Sequence, residues 1–363
     1  MPETDPSKSK GLRNGPAKGR VALTSGSWLG AGEVSGLWVL APPLLVMVLA
    51  GLIFDVAASD ILSLQKQLAA ILENPGQGTI QQGLAESRAR IFWATTVLLT
   101  ATTGLALLIT AFSILWRDLS RRGFILYVII GCLLSFGSAL FFFVSDPEKN
   151  GIAAVFFFTH NSLAVTSYFS DHHLLMIQIL VHSLNTVGVL APIFGVLAGC
   201  ATLLPRPDLS SDAHAEADLV LLRGQMRRLK TLLNLGSAVL VTGILHLIVW
   251  GRWPASLVGD DKVSDQVLHL ANSVGIYWGA AYTLMIIAFY APASLVISRR
   301  AEVTLKRFPE QAGGLDVSAW MKKVGLSAAP IHQLPQVAMM LAPLLAGPAG
   351  SLIGNLSSSL GAS

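Results

Sequence analysis

Residues 177–204 read IQILVHSLNTVGVLAPIFGVLAGCATLL, 28 residues without an Asp, Glu, Lys or Arg. A helix rises about 1.5 Å per residue, so this stretch crosses a hydrocarbon layer of ~30 Å even when tilted. Its first third carries His182, Ser183, Asn185 and Thr186, its middle Pro192. Ala191, Gly195 and Gly199 recur every fourth residue, a stripe that lets a neighbouring helix backbone come close. The segment is apolar, helical in period and irregular, and the remaining apolar runs are expected to pack around it.

Composition agrees. Only 13% of the 363 residues are charged and 53% are hydrophobic, whereas soluble domains carry about 25% charged residues. The net charge of +4 is too small to suggest a nucleic-acid partner. Cys132 and Cys200, the two cysteines, both lie in apolar runs, which argues against a disulfide framework and against cysteine metal motifs. Residues 1–34 are basic and polar and read as a disordered cytoplasmic tail. With no short apolar core and cleavage site ahead of it, the first apolar run is expected to be an uncleaved anchor.

Five further runs are long enough to span, at about 37–54, 91–116, 124–144, 232–250 and 270–297. The fold class expected is an all-α membrane bundle of six transmembrane helices. Pro42-Pro43 is expected to kink or break the first near its start, since proline lacks a backbone donor. Residues 55–90 have helical spacing around an Asn74-Pro75-Gly76 turn and predict a helical hairpin outside the membrane. The second span is rich in threonine, a residue that bonds back to its own helix or to a neighbour. Residues 145–176 read as an outside loop whose Phe156-Phe157-Phe158 lies at the lipid interface.

After a break at 205–208, Ser210 or Ser211 can cap a helix over 209–231. There Leu219, Leu222, Met226, Leu229 and Leu233 follow coiled-coil spacing and run directly into the fifth span. That seam can pack on the same chain or on a second one. Residues 298–363 are expected to form a cytoplasmic tail touching the membrane, with an amphipathic helix at Val317, Trp320, Met321 and Val324. Its apolar 335–355 stretch, broken by prolines and glycines, is expected to be a re-entrant or interfacial segment, or a tail packed under the bundle, rather than a seventh span.

Charge decides the orientation. With the N-terminus inside, 19 of the 25 Lys and Arg residues fall on the inner side and 6 on the outer, so both termini are expected in the cytoplasm of a plasma (bacterial inner) membrane. The inner basic surface suits anionic lipid headgroups.

Candidate chemistry is sparse. No span carries a charged residue at depth, which lowers the case for ion-coupled transport. Nucleophile-elbow, zinc-peptidase and phosphate-loop motifs are absent. Histidines are the remaining lead, because six of the eight gather toward the outer side. His182 and His246, on consecutive antiparallel spans, are candidate axial ligands of a haem or ligands of a transition metal, and His172, His173 and His269 are candidate metal ligands. Helix-packing positions are Gly131, Gly195, Gly199, Gly275 and Gly279, expected to draw spans three, four and six together. The function expected is that of a non-catalytic scaffold, signalling or effector subunit acting through assembly, with the bilayer, a second copy or another membrane protein as partner. A passive channel or carrier and a haem- or metal-binding redox subunit are the alternatives.

Overall fold

The computed structural model describes residues 36–72, 80–144, 150–166, 168–204, 215–308, 316–326 and 334–359. The basic tail, the Asn74-Pro75-Gly76 turn and the Ser210/Ser211 cap lie outside these residues. A 3-10 turn, Leu37–Leu40, leads into α1 (Ala41–Ala57), followed by α2 (Ile61–Leu72) and α3 (Ile80–Asp118). Then come α4 (Arg121–Val144), α5 (Gly151–Ala164), α6 (Asp171–Thr202) and α7 (Ala215–Arg252). A 3-10 turn at Trp253–Leu257 precedes α8 (Asp261–Arg307), α9 (Val317–Lys323) and α10 (Leu334–Ser359). Six helices are long and apolar enough to cross a membrane, namely α1 with its leading turn, α3, α4, α6, α7 and α8.

Local chemistry explains where the helices begin. Pro42 sits in the first turn of α1, where a missing N–H costs nothing because that group has no intrahelical partner. The proline pair therefore lies where the 3-10 turn gives way to the α-helix, a break near the start of the span. Helix α3 carries the expected second span together with half of the hairpin. Likewise α7 joins the 209–231 helix to the fifth span without interruption, as the unbroken leucine spacing predicts.

Two differences from the sequence reading stand out. Residues 151–164 are a helix, not a loop: the Asn150 side chain caps it by accepting from the Ala153 N–H at 3.0 Å. Asp55 on α1 also accepts from the Gly151 N–H at 2.8 Å. Phe156 and Phe158 are buried in the apolar cluster that includes Ile61 and Leu68 of α2, so they form core and not a lipid-facing edge. The second difference is α10. It does not lie beneath the bundle but runs lengthwise along α7 and α8. The Leu344 N–H donates to Thr283 Oγ1 at 3.1 Å, and Gly347 lies against Ile276. Numbers rising in α10 meet numbers falling in α8, so the two helices are antiparallel.

The bundle has two distinct ends. At the basic end, the α7 leucine seam is filled by its own chain: Leu222, Met226 and Leu229 share a buried cluster with Ala301, Leu305, Met321 and Leu326. Asp118 pairs with Arg228, the Arg300 guanidinium donates to the Leu203 carbonyl at 2.6 Å, and Ser298 donates to the Leu326 carbonyl at 2.6 Å. Gly325 takes a left-handed φ of 73°, which closes the end of α9 and returns Leu326 to that cluster. The opposite end carries the aromatic side chains described below. Between them, outward faces stay apolar, as on α1, where Leu45, Val48, Leu52 and Ile53 are exposed.

The packing glycines meet partners that spacing alone does not name. A Cβ on Gly131 would strike the Phe194 ring at 2.6 Å, and one on Gly195 would press Leu107 at 3.3 Å. Gly199 abuts Phe289, and Gly275 abuts Ile248. Gly131 thus joins the third span to the fourth and Gly199 the fourth to the sixth, but Gly195 serves the second span and Gly275 the fifth. Gly279 faces the Pro343 carbonyl of α10, where a Cβ would sit at 2.7 Å. Backbone cannot rotate aside as a side chain can. Gly279→Ala should therefore destabilise by about 1–3 kcal/mol and expose α10 to protease. Gly51→Ala, which has nothing within 4 Å, should leave the detergent melting temperature unchanged or raise it.

Candidate functional site at the aromatic end

Helix α3 presents Glu86, Trp93, Thr100 and Leu107 at seven-residue intervals, and all four are buried. That heptad spacing keeps one face turned inward along nearly the whole helix. Opposite it, the end of α7 supplies His246 and Trp250, and the following 3-10 turn supplies Trp253. The three indoles form a triangle: Trp93 lies 5.2 Å from Trp253 and 6.0 Å from Trp250, and Trp250 lies 6.0 Å from Trp253 (ring centroids). Phe156 stacks on Trp250 at 5.7 Å and Phe169 meets Trp253 edge-on at 5.8 Å. Trp253 is wholly buried.

A hydrogen bond fixes the imidazole of His246. Thr96 gives its hydroxyl proton to the Trp93 carbonyl at 2.8 Å and meets His246 Nδ1 at 3.3 Å. A hydroxyl has one proton, so both contacts are made at once only when Thr96 accepts from the imidazole. Deeper between the same helices, Thr103 and Thr242 hydroxyls pair at 3.0 Å. Thr95 and Thr102 bond back to their own helix.

His182 has different company. Its ring lies 5.3 Å from Phe156 and its Nε2 3.5 Å from Gln178 Nε2. Phe156 also stacks on His160 at 5.7 Å. His182 and His246 are thus each engaged by their own aromatic partner, Phe156 and Trp93, and these are joined through Trp250. His172, His173 and His269 are exposed, and His173 is turned to Ser170 Oγ at 3.0 Å. Among the described residues no group of three or more His, Cys, Asp or Glu side chains is arranged to hold a metal ion, so these three do not converge.

The layer also holds buried polar groups. Among the described residues, the indole N–H groups of Trp93, Trp250 and Trp253, both ring nitrogens of His160, the Thr100 hydroxyl and one Glu86 carboxylate oxygen are buried without a hydrogen-bond partner. The second Glu86 oxygen faces Arg90 at 3.4 Å, and Arg252 donates to Asn272 at 2.9 Å. The tryptophans were not singled out by sequence reading. Their signal is positional: Trp250 and Trp253 bracket the end of α7, and Trp93 falls on the inward heptad of α3.

No protein-family model, curated protein or solved structure matches this chain.

Trp253→Ala removes a fully enclosed ring and should lower stability by about 3–5 kcal/mol. The corresponding change at Trp116, which is 70% exposed, should shift the melting temperature little. Thermal unfolding followed by tryptophan emission distinguishes the two.

Proposed function

We propose that this chain is an integral membrane protein that works by assembly, as a non-catalytic scaffold, signalling or effector subunit of a plasma (bacterial inner) membrane. One observation carries the reading. Polar contacts hold the long helices to one another: Thr96 with His246, Thr103 with Thr242, Tyr277 with the Ala50 carbonyl, Thr283 with the Leu344 N–H. Contacts of this kind are structural, and they support a chain that acts through the outside of its bundle. The apolar outward faces suit lipid, and the excess of Lys and Arg at the basic end supports placing that end in the cytoplasm.

Charge alone expects both termini in the cytoplasm, whereas the path of α10 supports a C-terminus on the opposite side. No Asp, Glu, Lys or Arg follows Lys323, so nothing charged opposes insertion of this segment beside α7 and α8. Its antiparallel course along α8 carries the chain toward the aromatic side, away from the basic end.

Two measurements test the proposal. In sealed proteoliposomes, ion and small-solute flux should equal that of empty vesicles, and native mass spectrometry from lipid nanodiscs should find more than one polypeptide per particle. A flux dependent on the protein would replace the scaffold reading with the channel reading. For orientation, Ser363→Cys in a Cys132→Ser background should react with an impermeant maleimide added outside cells, while Lys323→Cys should not. The reverse pattern would return the C-terminus to the cytoplasm.

A further inference from the structure

Lys230 is the last cation of α7 before its apolar span, since residues 231–251 hold no Asp, Glu, Lys or Arg. It therefore stands where the helix enters the hydrocarbon. Its Nζ donates to the Gly325 carbonyl at 3.3 Å. On α8, Ser298 follows directly on the sixth apolar run and donates to the Leu326 carbonyl at 2.6 Å. Leu326 is wholly buried. Two spans thus hold two consecutive carbonyls at the level where both leave the bilayer, and this fixes the end of α9 at that level.

Cations collect around this junction. Arg223 and Arg227 precede Lys230 at i−7 and i−3, so the three share one flank of α7. Lys322 and Lys323 form the last turn of α9, and the Gly325 N–H donates to the Lys322 carbonyl at 3.2 Å, which keeps that turn beside Lys230. Arg223, Arg227, Lys322 and Lys323 are exposed, and Lys230 is half-buried. Ion pairs among the described residues join Arg90 to Glu86, Arg228 to Asp118 and Lys306 to Glu302, and none involves these five. Asp316, at the other end of α9, accepts from the Ser318 N–H. An ammonium has three N–H groups, and Lys230 gives one of them to a carbonyl.

We propose that the junction between α7 and the end of α9 binds the headgroup of an anionic phospholipid, its phosphate held by Lys230, Lys322 and Lys323 with Arg227 on the water side. Charge and position both select a lipid. Five cations from two elements, with no carboxylate of the described residues paired to them, complement a negative headgroup. They lie at the depth where headgroups lie, and a phosphodiester accepts charge-assisted hydrogen bonds from several ammonium groups at once. A lipid seated there would clamp α9 to α7. The inference rests on the membrane reading above and not on assembly, and it narrows the general attraction of a basic surface for anionic lipid to one site.

The test uses the full-length chain in mild detergent, titrated with phosphatidylglycerol or phosphatidylcholine, with bound lipid counted by native mass spectrometry. Phosphatidylglycerol should be retained about tenfold more tightly than phosphatidylcholine. Lys322→Gln with Lys323→Gln, both exposed, should abolish that preference at an unchanged melting temperature. Lys230→Met should weaken it, and Lys230→Arg should keep it. Arg121→Gln with Arg122→Gln removes the same charge from the start of α4, where both are exposed, and should bind as wild type does. Equal retention of the two lipids would overturn the site. An equal loss in the α4 variant would overturn it as well, leaving only a diffuse attraction to basic surface. Displacement of the lipid by millimolar inorganic phosphate would overturn the lipid assignment and make the ligand a soluble anion. A chain released from native membranes by alkaline carbonate without detergent would overturn the membrane reading, and this inference with it.

Discussion

A hydroxyl, imidazole or amide between apolar helices has no water to fall back on, and the arrangement of this bundle follows from that constraint. Thr96 and His246 satisfy each other across α3 and α7, Thr103 and Thr242 do so deeper along the same interface, and Thr283 takes the Leu344 N–H of α10. Each pair fixes the rotation of two helices about their axes. Once α3 and α7 are locked in this way, Trp93 must meet Trp250 and Trp253, and the aromatic end forms as a consequence.

Close approach is the second organising element, and it depends on which glycine meets which surface. Gly131 receives a phenylalanine ring and Gly195 a leucine, whereas Gly279 receives the backbone of α10. The first two contacts involve side chains able to shift by a few tenths of an ångström. The third involves two backbones, so it couples the C-terminal helix to α8 with little tolerance. The basic end is held differently, by the Asp118–Arg228 pair and by guanidinium and hydroxyl donors to carbonyls at the ends of helices, because there the chain leaves its most apolar stretches.

Much of the fold was legible in local pattern. The six long helices and the continuity of the leucine seam into the fifth span follow from hydropathy and a 3.6-residue period. Phe156–Phe158 was misread because a short apolar run carries no signal of which side it faces. Only the capping of α5 by Asn150 and its tie to Asp55, a residue 96 positions away, turns that run into core. The prolines of α10 read as breaks in sequence, yet they are accommodated once α7 and α8 pack on either side. At the candidate site, the histidines were legible as residue types at one end. Their partners were not, since an imidazole takes whatever ring or hydroxyl its helix rotation brings near.

The sequence by itself determined that the protein is an all-helical chain with six segments long enough to cross a bilayer, and that most of its Lys and Arg fall in alternate stretches between and beyond those segments. Both are sums over residues or over local spacing and need no partner. Tertiary structure alone decided that His246 belongs with Thr96 and Trp93, that His182 belongs with Phe156, that Gly279 receives α10 and that Asn185 is left facing outward. The physical reason is the same in each case. Helical period determines which residues share a face, but the rotation and register of one helix against another determine what that face touches, and those depend on every other contact in the bundle.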